Sequence, residues 1–154
     1  MNREFLAQTI ALALDNVRRG GGPFGALIVR DGIVIATGTN QVTRANDPTA
    51  HAEVVAIREA CRVLGSYQLD GCDVYSSCEP CPMCLGALYW SRPTRVFYAA
   101  TQDQAAAAGF DDSFIYRELR VAPGDRTLPL IHVEDEQANT PFEEWTSKPN
   151  RTEY

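Results

Sequence analysis

A chain of 154 residues, 45% hydrophobic and 22% charged, has the size and composition of a single globular domain. Disordered, collagen-like and coiled-coil classes are excluded, and a domain of this length buries roughly 70% of its unfolded surface without a disulfide framework. Fourteen Lys and Arg against twenty Asp and Glu leave a net charge of −6, which argues against a grip on a long nucleic acid but not against a small substrate.

Arg3 to Arg18 carries Leu6, Ile10, Ala13, Leu14 and Val17 at helical spacing, and Gly20-Gly21-Gly22-Pro23 stops the helix. Ala26 to Val29 and Ile33 to Ala36 are β-rich runs joined by Asp31-Gly32, a strong hairpin signal. A polar loop, Asn40 to Thr49, leads to a second helix. Asp47-Pro48 reads as its cap and first turn, Val54, Ile57, Cys61 and Leu64 as its buried stripe, and Gly65 as its stop.

Downstream, the pattern alternates: strand Cys72 to Ser77, helix Pro80 to Trp90, strand Arg95 to Ala99, a weaker helix Ser113 to Leu119, and a strand Leu128 to Val133. The short Ala105 to Ala108 run reads as helix. Strands separated by helices imply parallel pairs and a sheet covered on both faces. Glu134 to Tyr154 is acidic, has no clear period and reads as a tail or docking arm. No run of about 18 apolar residues predicts a membrane span, and Met1 to Ile10 lacks the layout of a signal peptide, so the cytoplasm is the expected compartment.

Five cysteines stand at 61, 72, 78, 81 and 84, three of them within seven residues. In a reducing compartment such clustering reads as metal ligation or thiol chemistry. His51-Ala52-Glu53 and, later, Pro80-Cys81-Pro82-Met83-Cys84 match the His-x-Glu and Pro-Cys-x-x-Cys signature of zinc-dependent base deaminases. The chemistry stands without the pattern: one imidazole and two thiolates are three ligands for tetrahedral zinc, leaving the fourth place for water. Both groups fall where helices begin, and the positive end of a helix dipole favours thiolates.

Residues two apart in a helix point about 200° apart. His51 and Glu53 therefore share a site only if the helix begins near His51. Glu53 then lies on the stripe facing the core, where a carboxylate is costly unless bonded or working; beside metal-activated water it shuttles a proton. Three other readings stay open: Glu53 as a dipole-compatible first-turn residue, Cys81 and Cys84 as a buried pair, and a structural zinc closed by Cys78. Cys78-Glu79-Pro80-Cys81 is itself Cys-x-x-Cys; the Cys81/Cys84 register is chosen because only that pair directly follows a proline at the start of a helix.

At these residues the chain resembles the cytidine deaminase-like superfamily, and more closely the small bacterial guanine deaminases. Four segments carry the resemblance: Gly22-Pro23-Phe24-Gly25-Ala26, Asn46 to Glu53, Ser77 to Cys84, and Gly109 to Tyr116. The zinc motifs indicate only the superfamily; the Gly109-Phe110-Asp111-Asp112 run and the terminal Tyr154 point to guanine.

The resemblance implies an α/β fold, a three-layer α/β/α sandwich around a mixed five-stranded sheet. It implies a catalytic domain over 1–133 and a C-terminal arm over 134–154 that closes the partner's site in a domain-swapped homodimer. It implies one zinc per subunit on His51, Cys81 and Cys84, with Glu53 as proton shuttle and Asp112 aiding transfer to the leaving amine. Asn40 would hold the purine, Phe24 stack on it, Ala52 offer backbone contacts and Tyr154 reach the other subunit's substrate. Each has a plainer reading. Asn40 serves a turn, Phe24 the core, Asp111 and Asp112 a helix cap, and Tyr154 frays; Trp90 packs at its helix end.

The expected reaction is hydrolysis of guanine, a free purine base, to xanthine and ammonia. A tRNA adenosine deaminase shares the motifs, but with Arg92 and Arg95 as the only close basic pair near the zinc helix it suits this charge poorly. A non-catalytic zinc-stabilised interaction module is the rival from another class.

Overall fold

A computed structural model describes residues 2–154. Helix α1 (Arg3–Arg18) is followed by strands β1 (Gly25–Arg30) and β2 (Ile33–Thr39), then helices α2 (Val42–Ala45) and α3 (Ala52–Leu64). Strand β3 (Cys72–Cys78), helix α4 (Pro82–Ser91), strand β4 (Arg95–Ala100) and helices α5 (Gln102–Ala107), α6 (Ser113–Glu118) and α7 (Thr140–Ser147) complete the order. Packing divides the chain into two compact units, one running through Ser113 and one from Phe114 to Tyr154.

In the first unit the sheet order is β2-β1-β3-β4. β1 is antiparallel to β2 and β3, while β3 and β4 run parallel with Ser76 opposite Tyr98. The hairpin forms as expected: Asp31 (φ 52°) and Gly32 (φ 76°) both take the left-handed conformation that a two-residue turn of the twisted kind requires.

β1 is buried on both faces, and its alternation makes the layers. Leu27 and Val29 join Tyr75, Phe5, Leu6, Leu12 and Phe97 on the α1 side. Ala26 and Ile28 join Val74, Cys72, Ala52, Ala56, Ala60 and Leu88 on the side of α3 and α4. The helices lie close to the sheet because two strand positions lack side chains. A Cβ on Gly25 would stand 2.6 Å from the Thr9 carbonyl oxygen, and one on Gly38 would stand 2.0 Å from that of Ala52.

That close approach corrects the expected stripe of α3. Its deepest face is the small-residue row Ala52, Ala56 and Ala60, fully buried; of the expected stripe Val54 is buried, while Ile57, Cys61 and Leu64 are only partly covered. Nor does α3 begin at Pro48. Asp47 instead caps a tight turn, accepting from the Thr49 amide at 2.8 Å and the Thr49 hydroxyl at 2.7 Å. The polar loop also holds the short α2, which the sequence did not announce.

The expected five-stranded sheet has four strands. The missing one is Leu128 to Val133, which joins no ladder among the described residues. Pro129 removes a ladder donor there, and Leu128, Ile131 and Val133 remain more than three-quarters exposed. Trp90, expected to pack at the end of its helix, is 66% exposed.

Candidate active site

Two helix starts meet above the C-terminal end of β3, where α/β sheets place their ligands. His51 is the N-cap of α3 in extended backbone (φ −70°, ψ 157°), and Cys81 is the N-cap of α4 in nearly the same conformation (φ −64°, ψ 167°). Pro82 follows at the first helical position, where its missing N–H costs nothing. Cys84 then lies one turn in, fully buried.

The His51 Nδ1 atom stands 3.5 Å from both Sγ atoms. Tetrahedral zinc, with Zn–S near 2.3 Å and Zn–N near 2.0–2.1 Å, sets a sulfur and a nitrogen about 3.5 Å apart. The donor set therefore fits zinc in kind and in spacing. Cys78 is not in this group: its thiol faces the Thr101 carbonyl oxygen at 3.8 Å.

Without a metal the cluster holds one thiolate and keeps protons on its other two donors. The Cys81 thiol is held down to about 4, first by its hydrogen bond with Cys84 and then by His51. The proton that the sulfur pair retains rests on Cys84, whose thiol is pushed up by Cys81, by burial and by Glu53. The Cys81 contact also raises His51. A divalent cation displaces these protons and neutralises the thiolates.

Glu53 sits in the first turn of α3, 5% exposed. Its Oε1 accepts from the Ser76 hydroxyl at 2.7 Å, and Ser76 is itself buried in β3. A buried carboxylate needs such a donor. Because His51 occupies the N-cap, imidazole and carboxylate lie on the same helix start, as the 200° argument requires.

The same end of the sheet carries Phe24, just before β1, and Asn40, just after β2; the Asn40 amide donates to the Phe24 carbonyl oxygen at 3.1 Å. The Asn40 Oδ1 accepts from the Val42 amide at 3.3 Å, so it does serve a turn. Phe24 is partly buried against the core and meets Phe110 edge-on, ring centroids 5.0 Å apart. Ala52 opens α3 and is fully buried.

Asp112 Oδ1 accepts from Gln102 Nε2 at 2.6 Å, and the Gln102 amide donates to Glu79 Oε2 at 3.1 Å. The cap expected of the aspartate pair belongs to Asp111, which accepts from the Ser113 amide at 2.9 Å. In the second unit the Tyr154 ring stands 6.4 Å from that of Trp145.

A cytidine and deoxycytidylate deaminase zinc-binding region matches residues 1–100. The chain belongs to this deaminase family. Guanine deaminase of Bacillus subtilis (strain 168) is 58% identical over 156 aligned positions that span 100% of both chains. The X-ray structure of guanine deaminase from that organism superposes with a TM-score of 0.97, covering 100% of this chain and 99% of the other. A tRNA-specific adenosine deaminase of Aquifex aeolicus is 44% identical over 96 positions, 62% of this chain and 64% of its own.

Beyond the deaminase motifs, the site relies on residues that sequence reasoning passed over. Asn16, buried in α1, donates through Nδ2 to the carbonyl oxygens of Gly22 and Asn40, each at 2.8 Å, and accepts from Arg44. It ties the glycine turn to the end of β2. The Ser77 hydroxyl accepts from the Gly25 amide at 3.0 Å. Ser76 carried a readable signal: it falls on the alternation of Cys72 and Val74, the face that meets α3.

Proposed function

We propose that this chain hydrolyses guanine to xanthine and ammonia. It is a zinc-dependent hydrolase. The observation that carries the substrate is the likeness to the Bacillus subtilis guanine deaminase, which runs the full length of the chain at 58% identity, through residues 101–154. The match to the tRNA-specific adenosine deaminase covers 62% of the chain.

His51 Nδ1 and the sulfurs of Cys81 and Cys84 hold the metal. Bound zinc supplies Lewis-acid activation of water near neutral pH. Glu53 takes a proton from the water that attacks C2 and passes it to N3 as C2 becomes tetrahedral. The C2 hydroxyl then gives its proton to Glu53 and becomes the carbonyl, the C2–amine bond breaks, and ammonia leaves with that proton, delivered by Glu53 or through Asp112. Asn40 holds the purine, Phe24 stacks on it and Ala52 offers backbone contacts; their place at one end of the sheet with Glu53 supports these roles.

The chain works as a homodimer whose catalytic domain spans 1–133 and whose arm, 134–154, carries Tyr154 to the other subunit's substrate. The exposed Leu128, Ile131, Val133 and Phe142 support this reading, since apolar surface of that kind calls for a cover. A pair of cysteines placed to bind metal fits a reducing compartment, the cytoplasm.

An RNA substrate is disfavoured by the net charge of −6 and by Arg95, whose guanidinium is already held by Asp73 at 2.9 and 2.7 Å. Incubation with guanine, guanosine, adenine, cytosine and an anticodon-loop RNA, with ammonia and inosine assayed, tests the reading. Ammonia from guanine alone is expected; inosine in the RNA would overturn it.

A further inference from the structure

The Ser76 hydroxyl has one proton, and its neighbours decide where that proton goes. The Cys78 amide points at Ser76 Oγ from 3.4 Å and can only donate. On the other side Glu53 Oε1, at 2.7 Å, can accept. The hydroxyl therefore accepts from the strand backbone and donates to the carboxylate. Ser76 is 1% exposed, so no water competes for the contact. Its partner is anchored as well: Glu53 stands in the first turn of a helix pressed against β2 at Gly38.

We propose that Ser76 is a positioning residue for deamination: by holding Oε1, it fixes the Glu53 carboxylate in one orientation and leaves Oε2 to carry the proton between water and purine. The proposal rests on Glu53 as the proton shuttle. A carboxylate free to rotate presents either oxygen at the wrong angle for much of the time, and proton transfer depends on geometry before anything else. Ser76 touches neither substrate nor metal on this account. Its loss should slow the chemical step and leave binding intact.

The test compares Ser76→Ala, Ser76→Thr and Ser76→Val with the parent protein, each loaded with zinc. Ser76→Ala should lower kcat for guanine about 10- to 100-fold, the range for removing a group that orients a site residue. KM and zinc per chain should stay near parental values; the melting temperature falls in Ser76→Ala and Ser76→Val, because the buried Glu53 carboxylate and the Cys78 amide lose their partner, and kcat is therefore read well below it. Ser76→Thr, which keeps the hydroxyl, should recover most of the loss, and Ser76→Val, the same shape without it, should not. Equal kcat across the series overturns the proposal, as does a loss that tracks falling zinc content, or a rise in KM with kcat unchanged. If the parent protein leaves guanine unchanged, the substrate reading fails instead. The series is then read on the base of the panel that the parent does deaminate, where the same kcat pattern is required.

Discussion

His51 Nδ1 lies 3.5 Å from the sulfur of Cys84 across 33 positions of sequence, because α3 and α4 both begin at the same end of the sheet. Neither helix contains a site alone. The parallel pairing of β3 with β4 sends α4 back across the sheet beside α3, and the extended N-caps turn His51 and Cys81 toward each other.

Zinc binding to this cluster displaces protons, and the direction follows from the groups. His51 and Cys84 are raised, so each keeps its proton to a higher pH than a free side chain would. Acid therefore strengthens the competitor of the metal, and affinity rises with pH. Competition with a chelator at pH 6 and pH 8 should show tighter zinc at pH 8, and a strong chelator should abolish deamination until zinc is restored.

Cys78 and Cys84 separate an open site from a closed one. The thiol of Cys78 faces the Thr101 carbonyl oxygen and stands outside the donor group. Cys78→Ser should retain about one zinc per chain, whereas Cys84→Ser should lose most of it. Metal analysis after dialysis reads both.

Asn16 supports the substrate side from a distance. Asn16→Ala leaves the Asn40 carbonyl oxygen without its buried donor, while that of Gly22 keeps the Phe24 amide at 2.9 Å, a loss of about 1–3 kcal/mol. Denaturant unfolding should show that loss, and KM for guanine should rise more than kcat falls, since the change loosens Asn40 rather than Glu53.

Gly38 sets the height of α3 over the sheet. In Gly38→Ala the added methyl meets the Ala52 carbonyl oxygen and the Ala56 amide nitrogen, at 2.0 and 2.6 Å. The helix must move, and overpacking of this kind costs about 1–3 kcal/mol. The variant should melt lower and bind zinc more weakly, because His51 caps the displaced helix.

Much of this was legible in sequence because the chemistry is local. Helix α1 falls on Arg3–Arg18 as its periodicity indicates, the Asp31-Gly32 hairpin forms, and the proline rule picks Cys81 over Cys78 in the cluster. What escaped is what depends on distant partners. Leu128 to Val133 has the residues of a strand, yet it pairs with nothing among the described residues, and a ladder is a property of two segments. The Ala52, Ala56 and Ala60 row was hidden because its depth comes from a glycine in another element. Asn16 looked like one more polar residue of α1, since its two acceptors lie six and 24 positions away.

Zinc retention and xanthine formation measured together on Glu53→Ala test the central claim most directly. The account predicts about one zinc per chain, held by His51, Cys81 and Cys84, and loss of nearly all turnover of guanine. Zinc-loaded Glu53→Ala that still converts guanine at a substantial fraction of the parental rate would contradict it.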